Sequence, residues 1–215
     1  MKPPVFFDIK PTVFYDFDDT MLDTRHLVAA YINLRYGTNI SAEMYLSGNS
    51  LELAVNAALP PGKAVSRDRF YEDFDRLFLR SMKWHSKAVP VKDAEKYIPM
   101  ISRKYNQWVV TARQDGCAPI FSKLCKKFFG NHISGAHFVW SRTGECQFEM
   151  NQSKRDFIAS FPGNKVAFFD DNPEEVRKTG EVITTYLFDP NDHHHHETDI
   201  QHRVKSWEEI ASILL

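Results

Sequence analysis

Three short apolar runs in this chain each end on a polar residue, and they constrain its fold more than any other feature. Thr12-Val13-Phe14-Tyr15 leads into Asp16, Gln107-Trp108-Val109-Val110 into Thr111, and Lys165-Val166-Ala167-Phe168-Phe169 into Asp170-Asp171. Continuous β-branched and aromatic runs of this length suit strands buried on both faces, as in a parallel sheet. Residues 136–140 and 183–188 are two further strand candidates.

Helical stretches lie between the strands. Residues 115–129 carry apolar side chains at helical spacing and stop at Gly130-Asn131. Residues 153–161 start on Ser153 as an N-cap and stop at Pro162-Gly163. Residues 174–180 and 206–215 complete the set. Strands alternating with helices predict an α/β fold, a Rossmann-like open parallel sheet flanked by helices. Ligands of such sheets bind at the carboxyl ends of the strands, near a topological switch point. The polar residues at three strand ends then share one edge.

The segment 23–89 breaks the alternation. It reads as helices over 25–36, 50–58 and 68–84, separated by Gly37-Thr38-Asn39 and Pro60-Pro61-Gly62, with Val89-Pro90-Val91 as a return hinge. The expected organisation is an α/β core from residues 1–22 and 90–215 with a helical insertion at 23–89. A length of 215 residues suits one domain, or one domain carrying an insertion.

With 27 basic and 28 acidic residues the formal charge is −1, which excludes the long-range attraction of non-specific nucleic-acid binding. No run approaches the roughly 18 apolar residues of a membrane span. The initial apolar run is interrupted by Asp8 and Lys10, too soon for a signal-peptide core. Cys117, Cys125 and Cys146 form no CxxC pair, which fits packing thiols in a reduced, cytoplasmic compartment. The run His193 to His196 is internal and reads as a solvated loop rather than as spaced metal ligands. Asp8 also follows an apolar run, but Lys10 stands where a second acid would be needed, so it reads as a surface residue.

Phosphoryl transfer through a carboxylate needs a nucleophile, a second acid for the leaving oxygen, a hard cation and donors for the phosphoryl oxygens. Asp16 and Asp18, two apart where the chain leaves a strand, can face one site, and Thr20 can cap the turn and donate to phosphate. Alone, the pair equally suits ordinary turn aspartates.

Asp16-x-Asp18-x-Thr20 resembles the first motif of the haloacid dehalogenase-type (HAD) hydrolases. Val109-Val110-Thr111 resembles the second, Lys154 at a helix start the third, and Phe168-Phe169-Asp170-Asp171-Asn172 the fourth, all in the family order. The resemblance implies a HAD-like core with 23–89 as a cap over the site. It implies Asp16 as nucleophile forming an aspartyl-phosphate, and Asp18 as acid and then base. Thr20, Thr111, Ala112 and Lys154 would hold phosphate. Mg²⁺ would lie on Asp16, Asp170 and the Asp18 backbone carbonyl, with Asp171, Arg113 and Asn172 around it. The second acid favours phosphate chemistry over dehalogenation.

A cap implies a small phosphorylated substrate. Aromatic residues in it (Tyr31, Tyr36, Tyr45, Phe70, Tyr71, Phe74, Phe78, Trp84) can stack on a base, though helical spacing suits them better to a core. The run from Arg203 to Ile210 and the Asp170-Asp171 pair are similar to the 5′(3′)-deoxyribonucleotidase branch, which carries Gly where this chain has Asp19. Two other readings stay open: a phosphatase of phosphoproteins or nucleic-acid ends, and a catalytically silent binding module.

Overall fold

The computed structural model describes residues 10–45, 51–142 and 148–215. Asp8, Ser50 and Cys146 lie outside them, as does the side chain of Tyr45. The strands are β1 (Thr12–Tyr15), β2 (Leu22–Asp23), β3 (Val89–Pro90), β4 (Asn106–Gln114), β5 (Gly135–Arg142), β6 (Phe148–Met150), β7 (Lys165–Asp170), β8 (Thr185–Phe188) and β9 (Arg203–Val204). The helices are α1 (Arg25–Tyr36), α2 (Leu51–Ala58), α3 (Arg67–Phe74), α4 (Met82–His85), α5 (Ala94–Ile101), α6 (Ala118–Phe129), α7 (Lys154–Ser160), α8 (Pro173–Gly180) and α9 (Trp207–Leu214).

Seven strands form one sheet in the order β6-β5-β4-β1-β7-β8-β9. It is parallel except at one edge, where β6 runs antiparallel to β5. Alternation along β1 splits the core in two. Val13 and Tyr15 join the cluster under α5, α6 and α9, while Phe14 packs with Val110, Phe168 and Ile158 of α7 on the other face. Both faces of a central parallel strand are thus covered by helices, which explains its continuous apolar sequence.

The chain passes from β1 outward through β4 to β5, then crosses to β7 on the other side of β1. The carboxyl ends of β4, β1 and β7 therefore border the switch point, where a crevice opens in sheets of this kind. β2 and β3 pair antiparallel, Leu22 with Pro90 and Asp23 with Val89, so the helical segment leaves and returns at one place.

Local signals explain most helix ends. Ser153 accepts from the Asp156 N–H, Ser206 from the Glu209 N–H, and Gly130 with φ +61 stops α6. The single helix expected over 68–84 is instead three pieces. A π-helical turn (Asp75–Leu79) follows α3, the Arg80 N–H closes on the Asp75 carbonyl at 3.0 Å, and Ser81 turns extended before α4. Phe70, Phe74 and Phe78 stack along one face, and the break after them turns His85 fully inward beside Phe78. Helix α5, with Pro99 inside it, and the short edge strand β9 were not foreseen. The strand expected from 183 begins at Thr185, because the Val182 and Ile183 N–H groups close on the Thr179 carbonyl.

Candidate active site

The register of β1 on β7 sets Tyr15 beside Phe169, and the Asp16 N–H donates to the Phe169 carbonyl at 2.8 Å. Asp16 and Asp170 are therefore neighbours across two adjacent strand ends. Lys154, at the start of α7 and only 4 % exposed, reaches both: Nζ lies 2.6 Å from Asp16 Oδ1 and 2.7 Å from Asp170 Oδ2. Burial works against the lysine charge, but the two carboxylates more than offset this, and Lys154 stays cationic. The other Asp170 oxygen, Oδ1, accepts from the Asn172 N–H at 2.8 Å. The Asn172 side chain itself is spent on capping α8, accepting from the Glu174 and Glu175 N–H groups.

Asp18 stands apart from this cluster. The guanidinium of Arg113 grips it in two bonds, Nε to Oδ2 at 2.8 Å and Nη2 to Oδ1 at 2.6 Å. The Thr24 hydroxyl donates to Asp18 Oδ1 at 2.9 Å. Burial alone would raise the Asp18 carboxyl, yet Arg113 and then Thr24 hold it below the ordinary carboxylate range. Arg113, expected only around the site, thus touches the second acid directly. Two buried atoms beside it have no hydrogen-bond partner: Arg113 Nη1 and His85 Nε2.

Thr20 is fully buried in the turn after β1, and its Oγ1 also lacks a partner, so a donor is free for a bound oxyanion. Its carbonyl accepts from the Trp207 Nε1–H of α9 at 3.0 Å, which fixes the turn from below. Thr111 is buried in β4, its Oγ1 accepting from the Arg113 N–H at 3.2 Å. Ala112 is exposed and has only its backbone amide to offer.

Among the described residues, oxygens of Asp16, Asp170 and Asp171 lie within 4.8 Å of one another. The donor set is hard oxygen, which suits Mg²⁺ rather than a soft metal. Charge balance agrees. Around the site stand five carboxylates (Asp16, Asp18, Asp19, Asp170, Asp171) and three paired cations (Arg25, Arg113, Lys154), five against three, which leaves two negative charges. The excess is felt as proton affinity. Burial first, then mutual repulsion, pushes Asp16 and Asp171 up to about 7 and Asp170 to about 6. A divalent cation would relieve that crowding, so the residues present fit one.

Sequence reasoning missed Thr24, Arg25 and His85. Asp19 gave a signal, as an acid at a turn position that reads as glycine elsewhere; the others depend on how the helical segment folds back. The histidine run is not among the converging metal-ligand groups. It forms a turn held by Asp189, which accepts from the His193 and His194 N–H groups. Cys117 and Cys125 are buried, which pushes their thiols up to about 11 and about 12 and leaves them as packing groups. The segment's aromatic rings pack on one another, Tyr31 against Phe74, Phe78 and Trp84. No described helix is long and apolar enough to cross a membrane.

The fold is shared with HAD-type hydrolases of known structure. A haloacid dehalogenase-like hydrolase from Streptococcus pneumoniae superposes with a TM-score of 0.64 at 15% identity, covering 96% of this chain and 99% of that one. A predicted phosphoglycolate phosphatase from Haemophilus somnus gives 0.64 at 13%, covering 96% and 98%. A protein described as a HAD-hydrolase from Bacillus subtilis, in a structure bound to magnesium, gives 0.60 at 13%, covering 96% and 99%. No protein-family model matches the chain, and no curated relative resembles it significantly in sequence. The α/β architecture, a mostly parallel seven-stranded sheet of the HAD-like Rossmann type, is thereby established.

Proposed function

We propose that this chain is a Mg²⁺-dependent phosphomonoester hydrolase acting on a small phosphorylated metabolite through an aspartyl-phosphate at Asp16. The reading rests on one observation above all: Lys154 holds Asp16 beside Asp170 at the switch point, while Asp18 is held separately by Arg113. The two carboxylates are thus held in separate places, Asp16 with the cation set and Asp18 on partners of its own, which leaves one for phosphorus and one for the leaving oxygen once Asp18 is released from Arg113.

In this scheme an Asp16 oxygen forms a bond to phosphorus as the bond from phosphorus to the leaving oxygen breaks. Asp18, protonated and swung off Arg113, gives its proton to that oxygen. As a carboxylate it then takes a proton from the water that attacks phosphorus, which releases phosphate and restores Asp16. Thr20, Thr111 and Lys154 hold the phosphoryl oxygens, and Lys154 screens the nucleophile from the incoming charge. Asp16, Asp170 and Asp171 would hold Mg²⁺, which supplies positive charge to the phosphoryl oxygens. The segment 23–89 serves as a cap, contributing Arg25 and His85 near the acids, so the leaving group is a small molecule. A nucleoside monophosphate is one candidate.

Asp16→Asn tests the proposal: Mg²⁺-dependent phosphate release from an aryl phosphate should vanish while the circular dichroism spectrum is unchanged. Undiminished release would overturn it. A panel of sugar phosphates, phosphoglycolate, nucleoside monophosphates, phosphopeptides and 3′- and 5′-phosphorylated oligonucleotides identifies the substrate class.

A further inference from the structure

We infer that Asp19 and Arg25 form a clamp that fixes the Asp171 carboxylate at the cation site, which makes Arg25 a positioning residue there. The inference rests on the phosphatase reading for the identity of the cation, Mg²⁺, and for nothing else.

Asp19 stands at φ +60, in the left-handed region that costs a side-chain-bearing residue strain and costs glycine none. Asp is among the few side-chain-bearing residues that enter this region, as Asp93 and Asp192 also do here, so the turn permits an acid. What sets Asp19 apart is what its carboxylate holds. Asp19 Oδ1 accepts from the backbone N–H of Thr24 at 3.0 Å and of Arg25 at 3.1 Å, which anchors it to the first turn of α1. Its Oδ2 accepts from Arg25 Nε at 3.0 Å. The same guanidinium donates through Nη2 to Asp171 Oδ2 at 2.6 Å. A guanidinium is a rigid plane with donors in a fixed fork, so fixing one edge aims the other. Asp19 fixes the edge, and Asp171 receives the aim.

Arg25 precedes Asp171 by 146 positions, so the clamp also ties the start of the helical segment to the end of β7. All three side chains are at most 19 % exposed, which limits the screening of their interaction by water. Asp19 and Arg25 sum to zero charge, so removing both leaves the net charge of the site unchanged. What remains is position. Groups that orient metal ligands from outside the ligand set typically cost 10–100-fold in affinity when removed, as an order of magnitude.

The deciding variant is Asp19→Asn with Arg25→Gln, which keeps the net charge of the site and removes the clamp. Calorimetric titration of the full chain with MgCl₂ is expected to show affinity about tenfold or more below wild type. Affinity within about twofold of wild type would overturn the clamp while leaving the phosphatase reading intact. If the pair fails to fold by thermal melting, Asp19→Gly with Arg25→Gln keeps the same charge balance and relieves the left-handed backbone, and the same two outcomes apply. A wild-type chain that takes up no Mg²⁺ would overturn both readings.

Discussion

Lys154 Nζ lies 2.6 Å from Asp16 Oδ1, inside the fold, and its charge opposes the rise that burial imposes on the Asp16 carboxyl. Lys154→Met should therefore lose stability and activity together. Breaking a buried pair costs on the order of 3 kcal/mol, moderated here because Asp16 and Asp170 can take up protons. Phosphate release should fall at least about a hundredfold, as for loss of one oriented charge-stabilising donor. Urea denaturation and an aryl phosphate assay measure the two effects.

The raised carboxyls predict a pH-dependent response to Mg²⁺. A carboxylate with a raised folded value binds its proton more tightly folded than unfolded. Its stabilising contribution is present at low pH and is lost as pH rises from 3.8 toward about 7 for Asp16 and Asp171. Without metal, these groups should thus lower the melting temperature across that window. Mg²⁺ competes with those protons, so the gain in melting temperature on adding it should be small at pH 5 and larger at pH 7.5. A gain independent of pH would contradict this assignment.

Trp207→Phe isolates the support beneath the turn after β1. The ring remains able to pack on Tyr15, 5.2 Å away between centroids, but the Thr20 carbonyl loses its donor. An unsatisfied buried acceptor costs about 1–3 kcal/mol. The expected loss in chemical denaturation should be accompanied by a higher KM, because the Thr20 hydroxyl is no longer fixed toward the site.

Gly116→Ala tests how the helical segment meets the core. A β-carbon at Gly116 would lie 2.7 Å from Arg80 Nη2, which donates to Gln114 Oε1 at 3.2 Å. The far end of an arginine moves cheaply, so stability should change by less than about 1 kcal/mol. The contact between Arg80 and Gln114 should nevertheless be lost. A melting temperature within about 4 °C of wild type is the expected outcome, and a larger drop would show that Arg80 cannot move aside.

The sheet was legible because its strands are buried on both faces, so Val13-Phe14-Tyr15 and Ala167-Phe168-Phe169 carry little else than apolar residues. The strand ends were legible only together: an Asp or Thr after such a run is ordinary by itself, and three such ends on one sheet edge are not. Asp16 with Asp18, and Asp170, could be singled out in this way and Lys154 through the resemblance to the HAD motifs, and the fold brings Asp16, Lys154 and Asp170 into contact. Arg113 is two residues past Thr111, yet its grip on Asp18 depends on two strands meeting across 95 positions. His85 was illegible because its inward turn depends on a π-helical break that no composition signal marks. Edge strands β6 and β9 are too short for a period to register.

The pairing of Leu22 and Asp23 with Pro90 and Val89 has an evolutionary and practical consequence. Everything between those strands enters and leaves through one narrow neck, so its length can change without shifting the sheet register. The segment behaves as an exchangeable head on a fixed chassis. An exchange at this neck, whether by recombination or by design, would leave the sheet pairing untouched. Thr24 and Arg25, which reach back to Asp18 and Asp171 from just past the neck, must travel with the chassis.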